Sequence, residues 1–118
     1  MATKNGFDKY AVRISGGDMG RVGLLLCYRS NSFVGRIDFH PDGATIPLDY
    51  LWYPNPMSEY VVLRMPMSRF EAVMSTVRVE KPLHLYINVD REIGTFTSGY
   101  GHLATTEKEP IGEEEGTP

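Results

Sequence analysis

The chain is predicted to fold as one α+β domain. About six strands form a mostly antiparallel, strongly curved sheet, up to barrel-like closure, with one short amphipathic helix packed on it. Three observations predict this. Apolar and polar residues alternate with period two in most of the apolar-rich stretches up to Phe96, the signature of half-buried strands. One stretch alone, Ser68 to Val77, changes to a helical period. The connections between strands are short and carry turn chemistry, which makes neighbours in sequence antiparallel neighbours in space.

Taken in order, Met1 to Phe7 is polar and reads as a frayed terminus. Tyr10, Val12 and Ile14 alternate with Ala11 and Arg13 as a first strand. Ser15 to Gly20 is a glycine-rich turn, and because a strand follows it instead of a helix it lacks the phosphate-cradling context. Val22 to Arg29 is apolar on both faces, as a central strand is, and it pairs with Phe33–His40 in a hairpin across Ser30-Asn31-Ser32. His40-Pro41-Asp42-Gly43 is a turn, and Ala44 to Leu48 is a short extended segment.

The aromatic run Asp49 to Tyr53 fits an edge strand, a single helical turn or a connection over the core, broken by Pro54-Asn55-Pro56. Glu59 to Val89 is the best-specified unit: strand, helix, strand. Ser68 and Glu71 have the spacing of a capping box, in which each side chain satisfies a free N–H at the helix start. Phe70, Val73, Met74 and Val77 then form one apolar stripe, and Pro82 stops the helix. The interval between the flanking strands accommodates a right-handed parallel crossover or an antiparallel return. Leu83 to Val89 is the next strand, with Ile93 to Thr97 as its hairpin partner, and Gly99-Tyr100-Gly101 closes the ordered part. The domain is thus 1–104, followed by an acidic, apolar-poor tail over 105–118 that reads as flexible.

Composition narrows the function. At 118 residues and 42% hydrophobic content, the chain can bury a core without staples. A formal net charge of −3 and a pI near 5.6 argue against nucleic acid as a partner. Cys27 is the only cysteine, so no intramolecular disulfide and no cysteine-rich zinc site can form. No apolar run approaches the roughly 20 residues that span a bilayer, and the first residues lack the apolar region of a signal peptide, so a cytoplasmic protein without membrane contact is expected. No nucleophile elbow, Walker sequence or dinucleotide fingerprint is present, and the residues call for no cofactor.

Four groups of residues are candidates for chemistry. Asp38, His40 and Asp42 have the spacing to share a strand face and hold a divalent cation, although Pro41-Asp42-Gly43 equally spells a turn. His84, on a face with Tyr86 and Asn88, could act as a base beside an acid such as Asp90, or simply belong to a polar sheet face. Cys27 lies in an apolar strand, where a thiol behaves as a small hydrophobe. Tyr50, Trp52, Tyr53, Met57 and Tyr60 supply rings with polar handles and an adaptable thioether, fit for a ligand or partner surface as well as for a core.

The leading expectation is therefore a small non-enzymatic binding or interaction module. It self-associates, most simply as a homodimer, through that aromatic and Met-rich surface, and takes a protein or small-molecule ligand. The alternative is a small enzyme or metal-binding protein using His40 or His84 with nearby carboxylates. The weakest is nucleic-acid binding on the sheet face through Arg13, Arg29 and Arg36 with Tyr28 as a stacking ring.

Overall fold

The computed structural model describes residues 2–14, 20–80 and 82–105. They form nine strands in two sheets with one short helix, an α+β fold. The strands are β1 (Ala2–Phe7), β2 (Lys9–Ile14), β3 (Gly23–Arg29), β4 (Ser32–His40), β5 (Asp49–Asn55), β6 (Ser58–Pro66), β7 (Leu83–Asn88), β8 (Thr95–Gly99) and β9 (Gly101–Thr105). The helix α1 (Phe70–Val79) follows a 3₁₀ turn over Met67–Arg69. The larger sheet has the order β2-β3-β4-β6-β5-β8 and the smaller β1-β7-β9. All pairings are antiparallel except β4 with β6.

The two sheets face each other. Leu25, Cys27, Ile37, Phe39, Leu51, Val61 and Leu63 of the larger sheet form one apolar cluster with Phe7, Leu83, Leu85 and Ile87 of the smaller. Asn5 on β1 crosses the gap, its Nδ2 donating to the carbonyls of Val34 and Glu59 at 2.8 and 2.9 Å. The sheets come close at Gly35 and Gly101, where an added Cβ would come within 2.6 Å of Leu85 Cδ1 and 2.7 Å of Leu63 Cδ2 respectively. Helix α1 closes the open side of the core with Val73, Met74 and Val77, and Phe70 packs edge-on to Phe39 at 5.2 Å.

Of the four passages from one sheet to the other, two are made across a single residue. At the first, β1 becomes β2 across Asp8: its N–H donates to the Tyr28 carbonyl, its carboxylate accepts the Ser30 N–H, and Arg29 Nε donates to the Gly6 carbonyl. At the second, β8 becomes β9 across Tyr100, and the Asp49 carboxylate accepts N–H bonds from Gly101 at 2.7 Å and Arg64 at 2.6 Å. The two sheets are joined directly at these corners, but the hydrogen-bond ladder is not closed.

Several local expectations are corrected. The segment read as frayed, Met1 to Phe7, supplies β1 over Ala2–Phe7, because Thr3, Asn5 and Phe7 are buried against the core while the residues between them are not. The capping box does not form: α1 begins after Arg69, with no side-chain cap, and the Ser68 N–H donates to the Asp42 carboxylate. The aromatic run is an internal strand, held between β6 and β8. Ile93–Thr97 does not return on Leu83–Val89; β8 pairs with β5, and β7 pairs with β1 and β9. The strands flanking the helix, β6 and β7, fall in different sheets, and the parallel pair is β4 with β6. Residues 44–48 contain no strand. Most of the turn at 15–20 and of the tail lies outside the described residues.

Candidate binding face

The larger sheet has one face turned to the core and one turned outward. Strand alternation and register decide which side chains point outward, since residues directly opposite on neighbouring strands share a face. From β2 come Lys9, Ala11 and Arg13; from β3 Leu24, Leu26 and Tyr28; from β4 Arg36, Asp38 and His40. Tyr60, Val62 and Arg64 follow on β6, Tyr50 and Trp52 on β5, and Phe96 and Ser98 on β8. Helix α1 and the smaller sheet both lie on the other side, so no described helix or strand covers this face. Of the side chains just named, Asp38, His40 and Val62 are buried and the rest are half-buried or exposed.

Aromatic rings form a row across one end of the face. Tyr28 packs edge-on to Phe33 at 5.8 Å, Phe33 lies 5.5 Å from Tyr60, and Trp52 stands opposite Tyr60 in the ladder. Trp52 then stacks on Phe96 at 4.1 Å with 12° between planes, and Tyr50 meets Phe96 edge-on. Phe33 joins the outward row because the register shifts between Cys27 and Tyr28, which turns Val34 into the core instead. Five strands contribute, so at about 4.8 Å per strand the row is about 19 Å long.

Beside the row lies a charged cluster. Asp38 is buried and accepts from Arg36 Nε at 2.7 Å, with Arg64 Nε at 3.5 Å and Arg21 Nη1 at 3.9 Å. Arg36 also donates to the Tyr50 hydroxyl, and the Arg64 guanidinium lies over the Tyr50 ring at 4.8 Å. Burial works to lower the Arg36 pKa, but its hydrogen bond and attraction to Asp38, with help from Tyr50, more than offset that and hold it above its ordinary value. With Lys9 and Arg13, five cations on this face meet one carboxylate among the described residues. His40 Nδ1 donates to the Gly20 carbonyl at 3.1 Å, while its buried Nε2 has no hydrogen-bond partner, and neither has Arg64 Nε.

The residues singled out in the sequence distribute as follows. Tyr50, Trp52 and Tyr60 stand together on the open face. Tyr53 points to the other side of β5, under the Arg91 guanidinium, which also pairs with Glu59. Met57 sits in the β5–β6 turn and is 91% exposed. Asp38 and His40 share the β4 face as the spacing predicts, but Pro41 ends the strand and Asp42 turns to the 3₁₀ segment. Among the described residues no three His, Cys, Asp or Glu side chains converge as a metal-holding group. Arg13, Arg36 and Tyr28 lie on the face, whereas Arg29 is drawn to β1.

The remaining candidates lie elsewhere. His84 is buried on the outward side of the smaller sheet, so it and His40 occupy opposite outer surfaces. Burial, with the charges of Lys4 and His102 nearby, lowers its pKa. Tyr86 lies edge-on to it and stacks on His102 at 4.5 Å. Cys27 is buried in the core, and burial pushes its thiol up to about 12, far from nucleophilic use at neutral pH.

Sequence reasoning did not assign Phe33, Phe96 or Arg64 to a site. Period two carries part of that signal: Arg64 shares parity with Tyr60 and Val62, two residues apart. Phe96 carries none, since its place depends on the pairing of β5 with β8, more than forty residues apart. No described helix is long and apolar enough to cross a membrane. The chain matches no protein-family model, no curated protein and no solved structure.

Proposed function

We propose that the chain is a non-enzymatic binding module whose working surface is the open face of the larger sheet, and that its partner is anionic there. One observation carries the reading: a sheet face, covered by no described helix or strand, on which Arg21, Arg36 and Arg64 gather at the carboxylate of Asp38 and Lys9 and Arg13 stand on the edge strand of the same face, in a chain whose formal net charge is −3. Arginine held against aromatic rings keeps its fork rigid and its charge constant, which suits recognition of phosphate, sulfate or carboxylate groups.

Heparin, a dense polyanion, tests this at low ionic strength. The full chain should be retained on immobilised heparin despite its negative sum, and replacing Lys9 and Arg13 together by Glu should release it. Passage of the unaltered chain without retention would sink the proposal. Lys9 and Arg13 are exposed on an edge strand, so this variant tests charge without disturbing the core.

A second reading, self-association through the aromatic end of the face, is favoured by the exposure of Met57 and by Phe96, which remains 62% exposed while stacked on Trp52. It predicts a dimer in sedimentation at micromolar concentration that Phe96→Glu dissociates. A monomer at that concentration would remove it.

A further inference from the structure

We infer that the anionic partner is a single-stranded nucleic acid, with unpaired bases on the aromatic row and phosphates on the neighbouring cations. The inference rests on the binding face proposed above and adds what charge alone does not specify. Heparin-like chains and acidic peptides need only cations. They give no role to a row of rings spanning five strands, in which Tyr28, Phe33, Tyr60, Trp52 and Phe96 follow one another across the sheet. Unpaired bases do use such a row, because every base has a π-face to lay on an aromatic side chain, and each such contact is worth about 1–3 kcal/mol.

Duplex bases are already stacked on one another and cannot reach the rings. No described helix stands on this face to enter a groove. Length fits as well: at 3.4 Å or more per nucleotide, a row of about 19 Å takes about five nucleotides at most. The cations lie where the backbone of that strand would run. Lys9 is on β2 at the row's own level, while Arg36, Arg64 and Arg13 lie one to two rungs further along the strands.

The donor count points the same way. Arg36 and Arg64 share the one carboxylate of Asp38, and a carboxylate offers about four lone-pair sites against five N–H donors on each Arg. Donors in excess on an open surface are what phosphate oxygens would accept from. The whole-chain charge does not oppose this, because the sum includes five glutamates and one lysine after Thr105 and acids on other surfaces.

The test uses the full chain and a fluorescein-labelled oligo-dT of about ten nucleotides, read by anisotropy and by quenching of Trp52, the only tryptophan. Binding at about 50 mM salt should quench Trp52 and weaken steeply by about 200 mM. A duplex of equal length should bind at least about tenfold more weakly. Trp52→Ala and Phe96→Ala should each weaken oligo-dT binding about tenfold, within the range expected for one stacked base. Replacing Lys9 and Arg13 by Gln should reduce the salt slope by about 1.4, at about 0.7 per lost phosphate contact on a single strand. Thermal melting of each variant verifies the fold. Retention on heparin with no oligo-dT binding would overturn this inference and leave the binding face standing. Equal affinity for duplex and single strand, without Trp52 quenching, would do the same. Failure with both ligands would overturn both.

Discussion

At the scale of single residues, the helix start shows how a local motif can be correct in type and misplaced in partner. Ser68 and Glu71 have capping-box spacing, but the box requires an extended Ser at the N-cap. Pro66 takes the extended conformation instead, and Met67–Arg69 wind into a 3₁₀ turn before α1. The Ser68 N–H is satisfied by the Asp42 carboxylate at 2.9 Å, twenty-six residues earlier. Asp42→Ala should therefore lower stability by about 1 kcal/mol, the usual worth of a cap. Ser68→Ala should stay within about 0.5 kcal/mol, as an exposed change does. Urea unfolding of the two variants decides between them; a larger loss at Ser68 would restore the box. Cys27 allows a second check at this scale. With its pKa pushed to about 12 by burial, the thiol should react with an aromatic disulfide reagent at pH 8 only as fast as the protein opens. Prompt labelling of native protein would place Cys27 outside the core.

At the scale of elements, what was legible followed local periodicity. The β3–β4 hairpin, the strand nature of β2, β6 and β7, and the stripe Phe70, Val73, Met74 and Val77 all stand where alternation or helical spacing predicts. Their partners lie within a few residues or on one face of one element, so a window of sequence contains the whole signal. The misread elements depend on partners far away. Strand β1 has Thr3 and Asn5 facing inward, so its polar sequence conceals an edge of the core, and Asn5 is accepted there only because two distant carbonyls satisfy its amide. Strand β8 owes its place to β5, and β6 is inserted between β4 and β5. The candidate face divides in the same way: Tyr50, Trp52 and Tyr60 were legible as neighbours, while Phe33, Phe96 and Arg64 joined them only through register. The helix gives the sharpest test. Val77→Asp would bury an unpaired charge and should cost about 4 kcal/mol or more, whereas Ser75→Asp, on the exposed side of α1, should change stability by about 0.5 kcal/mol or less. A folded Val77→Asp variant with unaltered melting temperature would contradict the packing of α1.

At the scale of the whole molecule, two sheets enclose one core because the chain turns two corners, and Asp49 holds the second. Its carboxylate accepts backbone N–H bonds from Gly101, the first residue of β9, and from Arg64 on β6, so one side chain ties the start of the smaller sheet's last strand to the larger sheet. Removing both acceptors leaves two N–H groups without partners in a part-buried site, at about 1–3 kcal/mol for each donor left unsatisfied. Asp49→Ala should therefore destabilise the protein by about 3 kcal/mol, and amide exchange should quicken most along β9. The pH dependence has a definite sign. Burial raises the Asp49 pKa above its ordinary value of 3.8, and the two N–H bonds with the Arg64 charge offset this only in part. Folding thus favours the protonated form: this group's contribution is largest below pH 3.8 and declines as pH rises through the raised folded-state value. Asp49→Asn cannot titrate and keeps one carbonyl acceptor. The stability of the native chain relative to Asp49→Asn should consequently fall between about pH 4 and pH 7, measured by urea unfolding at each pH. A rise over that interval would mean that the N–H bonds and the Arg64 charge outweigh burial at this corner, and that the ionised carboxylate is the form that fastens the sheets together.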